Sequence, residues 1–107
     1  MILDVRVLRD GTPESVAQIL AQHLDAEVGA DEYGNPAIRL DTGTIVVADD
    51  SWDVGVVYAE VRAPAETLAG RVYEILEAST PWDIALVDSS DEHPEDVVLR
   101  ERHTRAA

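Results

Sequence analysis

The chain has 107 residues, 46% of them hydrophobic, and sets 22 acids against 8 bases for a formal net charge of −14. That length is near the commonest size of a single domain, so one core is expected, with no second lobe and no inter-lobe cleft. Lack of cysteine excludes disulfides, thiolate nucleophiles and Cys-based metal sites, lack of lysine excludes Schiff-base chemistry, and the acidic balance argues against free nucleic acid as a partner.

Residues 2–8 alternate, with Leu3, Val5 and Val7 on one side and Asp4 and Arg6 on the other, which predicts a half-buried strand. This strand pattern starts at once, without a basic stretch leading into a long apolar run, so no signal peptide is expected. No apolar run approaches the roughly 20 residues of a membrane span. No membrane association is expected, and the cytoplasm is the expected compartment. Asp10-Gly11 ends the strand, and Thr12 stands as an N-cap before Pro13 and Glu14. The helix that follows places Val16, Ile19, Leu20 and Leu24 on one stripe and should end near Asp25.

Residues 26–30 suggest a short strand, 31–35 a turn and 36–40 an extended segment. Asp41-Thr42-Gly43 is turn chemistry. Two clear strands follow at 44–48 and 54–61, predicted to form an antiparallel hairpin around the acidic loop Asp49–Asp53. Pro64 is expected to open a second helix with Leu68, Val72, Ile75 and Leu76 inward, stopped by Ser79-Thr80-Pro81. Residues 82–87 make the last strong strand, Val97–Leu99 a short edge strand, and 100–107 a frayed arginine-rich tail beyond a domain spanning 1–99.

The order strand–helix–strand–strand–helix–strand is the ferredoxin-like split βαβ plan of an α+β protein (β-α-β-β-α-β). Two helices should cover one face of an antiparallel sheet, with an extra strand from residues 26–40. The other face should be open and partly apolar through Val54, Val56 and Tyr58, which invites a partner, a ligand or a second copy of the chain.

Catalytic patterns are missing. There is no G-x-S-x-G, and Ser15, Ser51, Ser79, Ser89 and Ser90 fall in caps and loops; no glycine-rich phosphate cradle occurs either. Asp49, Asp50 and Asp53 could hold a cation or work as an acid/base pair, or simply form a solvated turn. The run from Asp88 to His93 resembles a calcium loop but has His93 where glycine is required and Leu99 where glutamate is required. His23, His93 and His103 are widely separated. No cofactor, metal or catalytic residue is expected.

Charge and aromatics point elsewhere. Between Asp10 and Glu60 there are 11 acids and one base, Arg39, whereas Arg100, Arg102 and Arg105 reverse the sign at the end of the chain. Such a field attracts a basic protein or a cation and speeds its association. The same composition also arises through adaptation to salt or from a GC-rich genome. Trp52 stands between carboxylates outside the strand alternation, in the manner of an interface anchor with a steering rim, or else folds back on the core edge. Tyr33 and Tyr58 are the other aromatic contact candidates, while Trp82 and Tyr73 belong to the core-forming elements.

With its capped first helix, the turn Asp31–Asn35, the hairpin tipped by Asp49–Asp53 and the helix–Thr80-Pro81-Trp82–strand end, the chain resembles the small acidic immunity proteins of polymorphic and contact-dependent toxin systems. The resemblance implies a non-catalytic protein whose acidic surface covers the basic active-site region of a toxin. Trp52, Asp49, Asp50, Asp53 and Tyr33 would then be the anchor and steering residues. The alternative is a ferredoxin-like regulatory domain that senses a small molecule or dimerises through its open sheet face.

Overall fold

The computed structural model describes residues 1–88 and 96–103. Strand β1 (Ile2–Val7) leads into helix α1 (Pro13–Leu24), then β2 (Gly29–Ala30), β3 (Pro36–Leu40), β4 (Gly43–Asp49) and β5 (Val57–Arg62). Helix α2 (Thr67–Ser79), β6 (Ile84–Asp88) and β7 (Val97–Arg102) complete the chain. The protein is α+β, with two helices and one seven-stranded sheet in the order β2-β3-β4-β5-β1-β6-β7, every neighbouring pair antiparallel. Seven strands exceed the expected four, one extra from residues 26–40 and a short edge strand at Val97–Leu99: the segment 26–40 supplies two, and the edge strand β7 runs on to Arg102. Among the described residues no helix is long and apolar enough to cross a membrane.

Local chemistry explains the start of α1. The Thr12 side chain accepts a hydrogen bond from the Ser15 N–H at 3.1 Å, and the Ser15 hydroxyl accepts one from the Thr12 N–H at 3.0 Å. This reciprocal box satisfies two donors, and Pro13 occupies the turn where its missing N–H costs nothing. Asp25, at φ 52°, closes the helix in the left-handed region. The buried stripe is Val16, Ala17, Leu20 and Ala21, turned slightly from the expected one, with Ile19 and Leu24 half-buried beside it. Helix α2 starts at Thr67, later than Pro64 suggested, and its N-cap residue Glu66 makes no side-chain cap. It ends where the Thr80 hydroxyl donates to the Leu76 carbonyl at 2.7 Å.

Both helices pack on the same sheet face and on each other, over Leu3, Val5, Val7, Ile38, Ile45, Val47, Val57, Ala59, Val61, Ile84 and Leu86. These are the alternate positions of five strands, so the period-two pattern sets which face is dry. The core is aliphatic apart from Tyr73, its largest fully buried side chain. The Arg100 guanidinium carbon lies 4.5 Å from the Tyr73 ring centroid.

The C-terminal strand departs from expectation most. Instead of a frayed tail from residue 100, β7 continues to Arg102, opposite Ile84. Arg102 donates to the carbonyls of Thr80 at 2.8 Å and Trp82 at 2.7 Å, and to that of Glu77. The guanidinium therefore satisfies the Glu77 and Thr80 carbonyls, which the end of α2 leaves without helical partners at the negative end of the helix dipole, and ties in the Trp82 carbonyl ahead of β6. The second departure is the hairpin. Strand β5 begins at Val57, because Gly55 at φ 87° and the turn before it take Val54 and Val56 out of the sheet.

Candidate functional site

The open sheet face mixes apolar and charged side chains, and Val54 and Val56, expected on it, lie outside the sheet. Following the register, Ala48, Tyr58, Arg6, Ala85 and Glu101 form one cross-strand row. Ala37, Val46, Glu60, Asp4, Val87 and Val98 form the next. The alanines and Val87 are buried among longer neighbours, and Asp4 is only 8% exposed. Arg6 pairs with Asp96 at 2.8 Å, and Glu60 with Arg62 at 2.6 Å. Tyr58 is half-buried, and its hydroxyl is pushed to a raised pKa by burial and by the charges of Glu60, Asp4, Asp50 and Asp31. It lies on this charged face, apart from Tyr33 and Trp52.

Ile2 and Val98 are exposed on this face, but the most exposed large apolar side chains lie elsewhere. Strand β3 enters the sheet at Pro36, and Asp49 at the end of β4 faces Val57 at the start of β5. Because Ala37 lies opposite Val46, the 31–35 turn and the 50–56 loop project from the same end of the sheet. On these two connections stand Tyr33, 79% exposed, Trp52, 92% exposed, and Val54, wholly exposed. Trp52 does not fold back on the core. Trp82 does, packing half-buried against it.

The two connections share one construction. Asp31 Oδ1 accepts the N–H of Tyr33 at 2.9 Å and of Asn35 at 2.8 Å. Asp50 Oδ1 accepts the N–H of Trp52 at 2.8 Å and of Asp53 at 3.1 Å. Each is an aspartate turn that fixes the backbone of an aromatic residue two positions later. For Asp50 these backbone hydrogen bonds, with the charge of Arg6, hold the carboxyl below its ordinary range. For Asp31 desolvation acts upward, but the bonds from Asn35 and Tyr33 and the charge of Arg39 outweigh it, and the result is again a lowered pKa.

Acids gather at this end, among them Asp31 and Glu32 on one turn, Asp49, Asp50 and Asp53 on the other, Asp10 just past β1 and Glu14 in the first turn of α1, with Arg9 beside them paired to Asp83. Asp25 and Asp41 lie at the opposite end and Glu60 on the sheet face, so the excess of the first sixty residues is only partly concentrated. Among the described residues Asp49, Asp50 and Asp53 enter no ion pair, whereas Arg6, Arg9, Arg62 and Arg100 are paired to Asp96, Asp83, Glu60 and Glu74. Bases are used inside the fold, leaving the tip acidic.

At the far end of the molecule a cleft of about 610 Å³ lies between the end of α1, the β3–β4 turn and the start of α2, walled by Leu24, Leu40, Ala63, Pro64 and Leu68. Among the described residues no group of three His, Cys, Asp or Glu side chains is placed to hold a metal ion. The calcium-like run falls largely on residues 89–95, and Arg105 on 104–107, outside the described residues. His23, expected as a helix-flank residue, has one ring nitrogen 3.2 Å from the Ser79 hydroxyl, bridging α1 to α2, a contact that no local sequence signal announces.

Fold and site together define an α+β domain with an acidic end that displays two aromatic rings. Comparison of the chain with protein-family models, with curated proteins and with solved structures finds no match.

Proposed function

We propose that the protein is a non-catalytic binding module that neutralises a basic protein partner, as an immunity protein or inhibitor does, through the end of the sheet carrying Trp52 and Tyr33. The observation that carries this reading is Trp52 itself: a large ring 92% exposed, on a hydrogen-bonded turn, framed by carboxylates. A tryptophan whose backbone is already held has only its two side-chain torsions to order on binding, and the acidic rim steers a positive partner towards it. Trp52 is the anchor; Asp49, Asp50, Asp53 and Tyr33 form its surround. Tyr58 lies on the adjoining charged face and takes a secondary role.

The inner strands run β4-β5-β1-β6 with both helices on one side, which supports a ferredoxin-like core extended by β2, β3 and β7. The test is co-purification with the products of adjacent genes at low and high salt. A toxin-like partner held at low salt and released as screening rises is the expected result; no neighbouring product bound or neutralised counts against the reading.

The alternative, a small-molecule-sensing or dimerising regulatory domain, is favoured by one feature, the apolar cleft at the opposite end, whose size suits a small ligand. Dimerisation through the open face has less support, because that face bears Asp4, Arg6, Glu60 and Arg62. A dimer in sedimentation at low micromolar concentration, insensitive to Trp52→Ala, would favour this alternative.

A further inference from the structure

We infer that the two exposed rings receive guanidinium groups: the partner presents arginine side chains, one of which stacks on Trp52 while Tyr33 offers the second platform. This rests on the binding reading above and specifies its chemistry.

Three observations lead there. Both aromatics are held by the same device, an aspartate that accepts the backbone N–H of the ring-bearing residue. The backbone under each ring is thus fixed before a partner arrives, while the ring faces stay in water. Next, carboxylates sit within two residues of each ring: Asp50 and Asp53 around Trp52, Asp31 and Glu32 before Tyr33. Inserting Trp52 into an apolar socket would drag those carboxylates out of water without partners, which is strongly unfavourable. A planar guanidinium instead lays its face on the indole and turns its N–H fork to the neighbouring oxygens, satisfying both. An ammonium is a compact, strongly hydrated charge and gains less from the ring. Val54, wholly exposed in the same loop, offers apolar surface to an arginine stem. Lastly, the fold already contains this contact, in the Arg100 guanidinium over the Tyr73 ring.

The experiment titrates the full chain at low salt with two short peptides of equal charge, one alternating arginine and glycine, the other lysine and glycine, followed by the indole N–H and amide resonances in NMR spectra. The arginine peptide should bind at least about fivefold more tightly and shift the Trp52 indole signal. Trp52→Ala should remove that preference with amide dispersion unchanged, and Trp52→Leu, which keeps apolar bulk without a ring face, should do the same. Equal affinities for the two peptides, or an arginine preference that survives in Trp52→Leu, overturn the inference while leaving an acidic binding surface in place. If neither peptide binds, the inference and the binding reading fall together.

Discussion

The loop between β4 and β5 and the strand β7 both expose apolar side chains, and they do so in opposite electrostatic settings. Trp52 and Val54 stand among carboxylates, on a loop whose hydrogen bonds are its own. Val97, Val98 and Leu99 are exposed on a sheet edge where Arg100 and Arg102 fasten the strand to α2 and the α2–β6 connection. The difference teaches how a chain with so few bases divides its work. Six of the eight arginines (Arg6, Arg9, Arg39, Arg62, Arg100 and Arg102) contact acids or carbonyls of the protein itself. Removing an arginine should therefore hurt the fold, and removing the tryptophan should hurt only recognition.

The strongest way to break this contrast is Arg102→Ala. Losing hydrogen bonds from a charged donor to the carbonyls of Thr80 and Trp82 should cost about 2–3 kcal/mol and lower Tm by roughly 10 °C in thermal unfolding. If Tm holds, β7 is an adornment and the contrast fails. Trp52→Ala is the matching change at the other site. It should leave Tm within about a degree or two, as for an exposed residue away from the core, yet weaken the complex with a basic partner by about 30-fold in calorimetry.

Acid sharpens the comparison. Asp31 and Asp50 have folded-state pKa values below the ordinary 3.8, so the stability they confer is complete above that pH and is lost only as pH falls below it, through the lowered values. Asp50→Asn should remove part of that acid-side loss in unfolding curves below about pH 4, without changing the slope between pH 5 and 8. The smallest effect is expected from Arg100→Ala. Its ring contact with Tyr73 and its exposed pairing with Glu74 at 3.7 Å should together be worth about 1 kcal/mol or less, again with partner affinity unchanged.

Much of the architecture is legible in the residues. Thr12 and Pro13 mark the start of α1, the alternation of 2–8, 44–48 and 54–61 marks the central strands, the last of which starts three residues later than expected, and Thr80-Pro81 marks the end of α2. What was hidden had non-local causes. Strand β7 carries a register shift opposite Leu86 and Val87, so its alternation is broken, and the carbonyls bound by Arg102 lie 20 or more residues away in sequence. Val54 and Val56 match a strand pattern, yet Gly55 and the Asp50 turn take precedence over it, and the open face loses the apolar character they would have given it. For the site, the acidic surround of Trp52 is legible in the residues, whereas its exposure was one of two alternatives they left open. That Tyr33 shares its end of the sheet depends on the pairing of β3 with β4, which no local window contains.

The loop from residue 50 to 56 contributes nothing to the buried cluster, and its ends are pinned by a backbone hydrogen bond from the Asp50 N–H to the Val56 carbonyl at 2.8 Å. With Asp50 and the positive-φ Gly55 kept, substitution of Ser51, Trp52, Asp53 and Val54 leaves the core untouched, so under the proposed binding role a lineage could exchange one target for another by rewriting a single short cassette. Grafting a foreign loop of equal length that keeps Asp50 and Gly55 should give chimaeras that fold as well as the parent and, if the proposed binding role holds, answer to a different cognate.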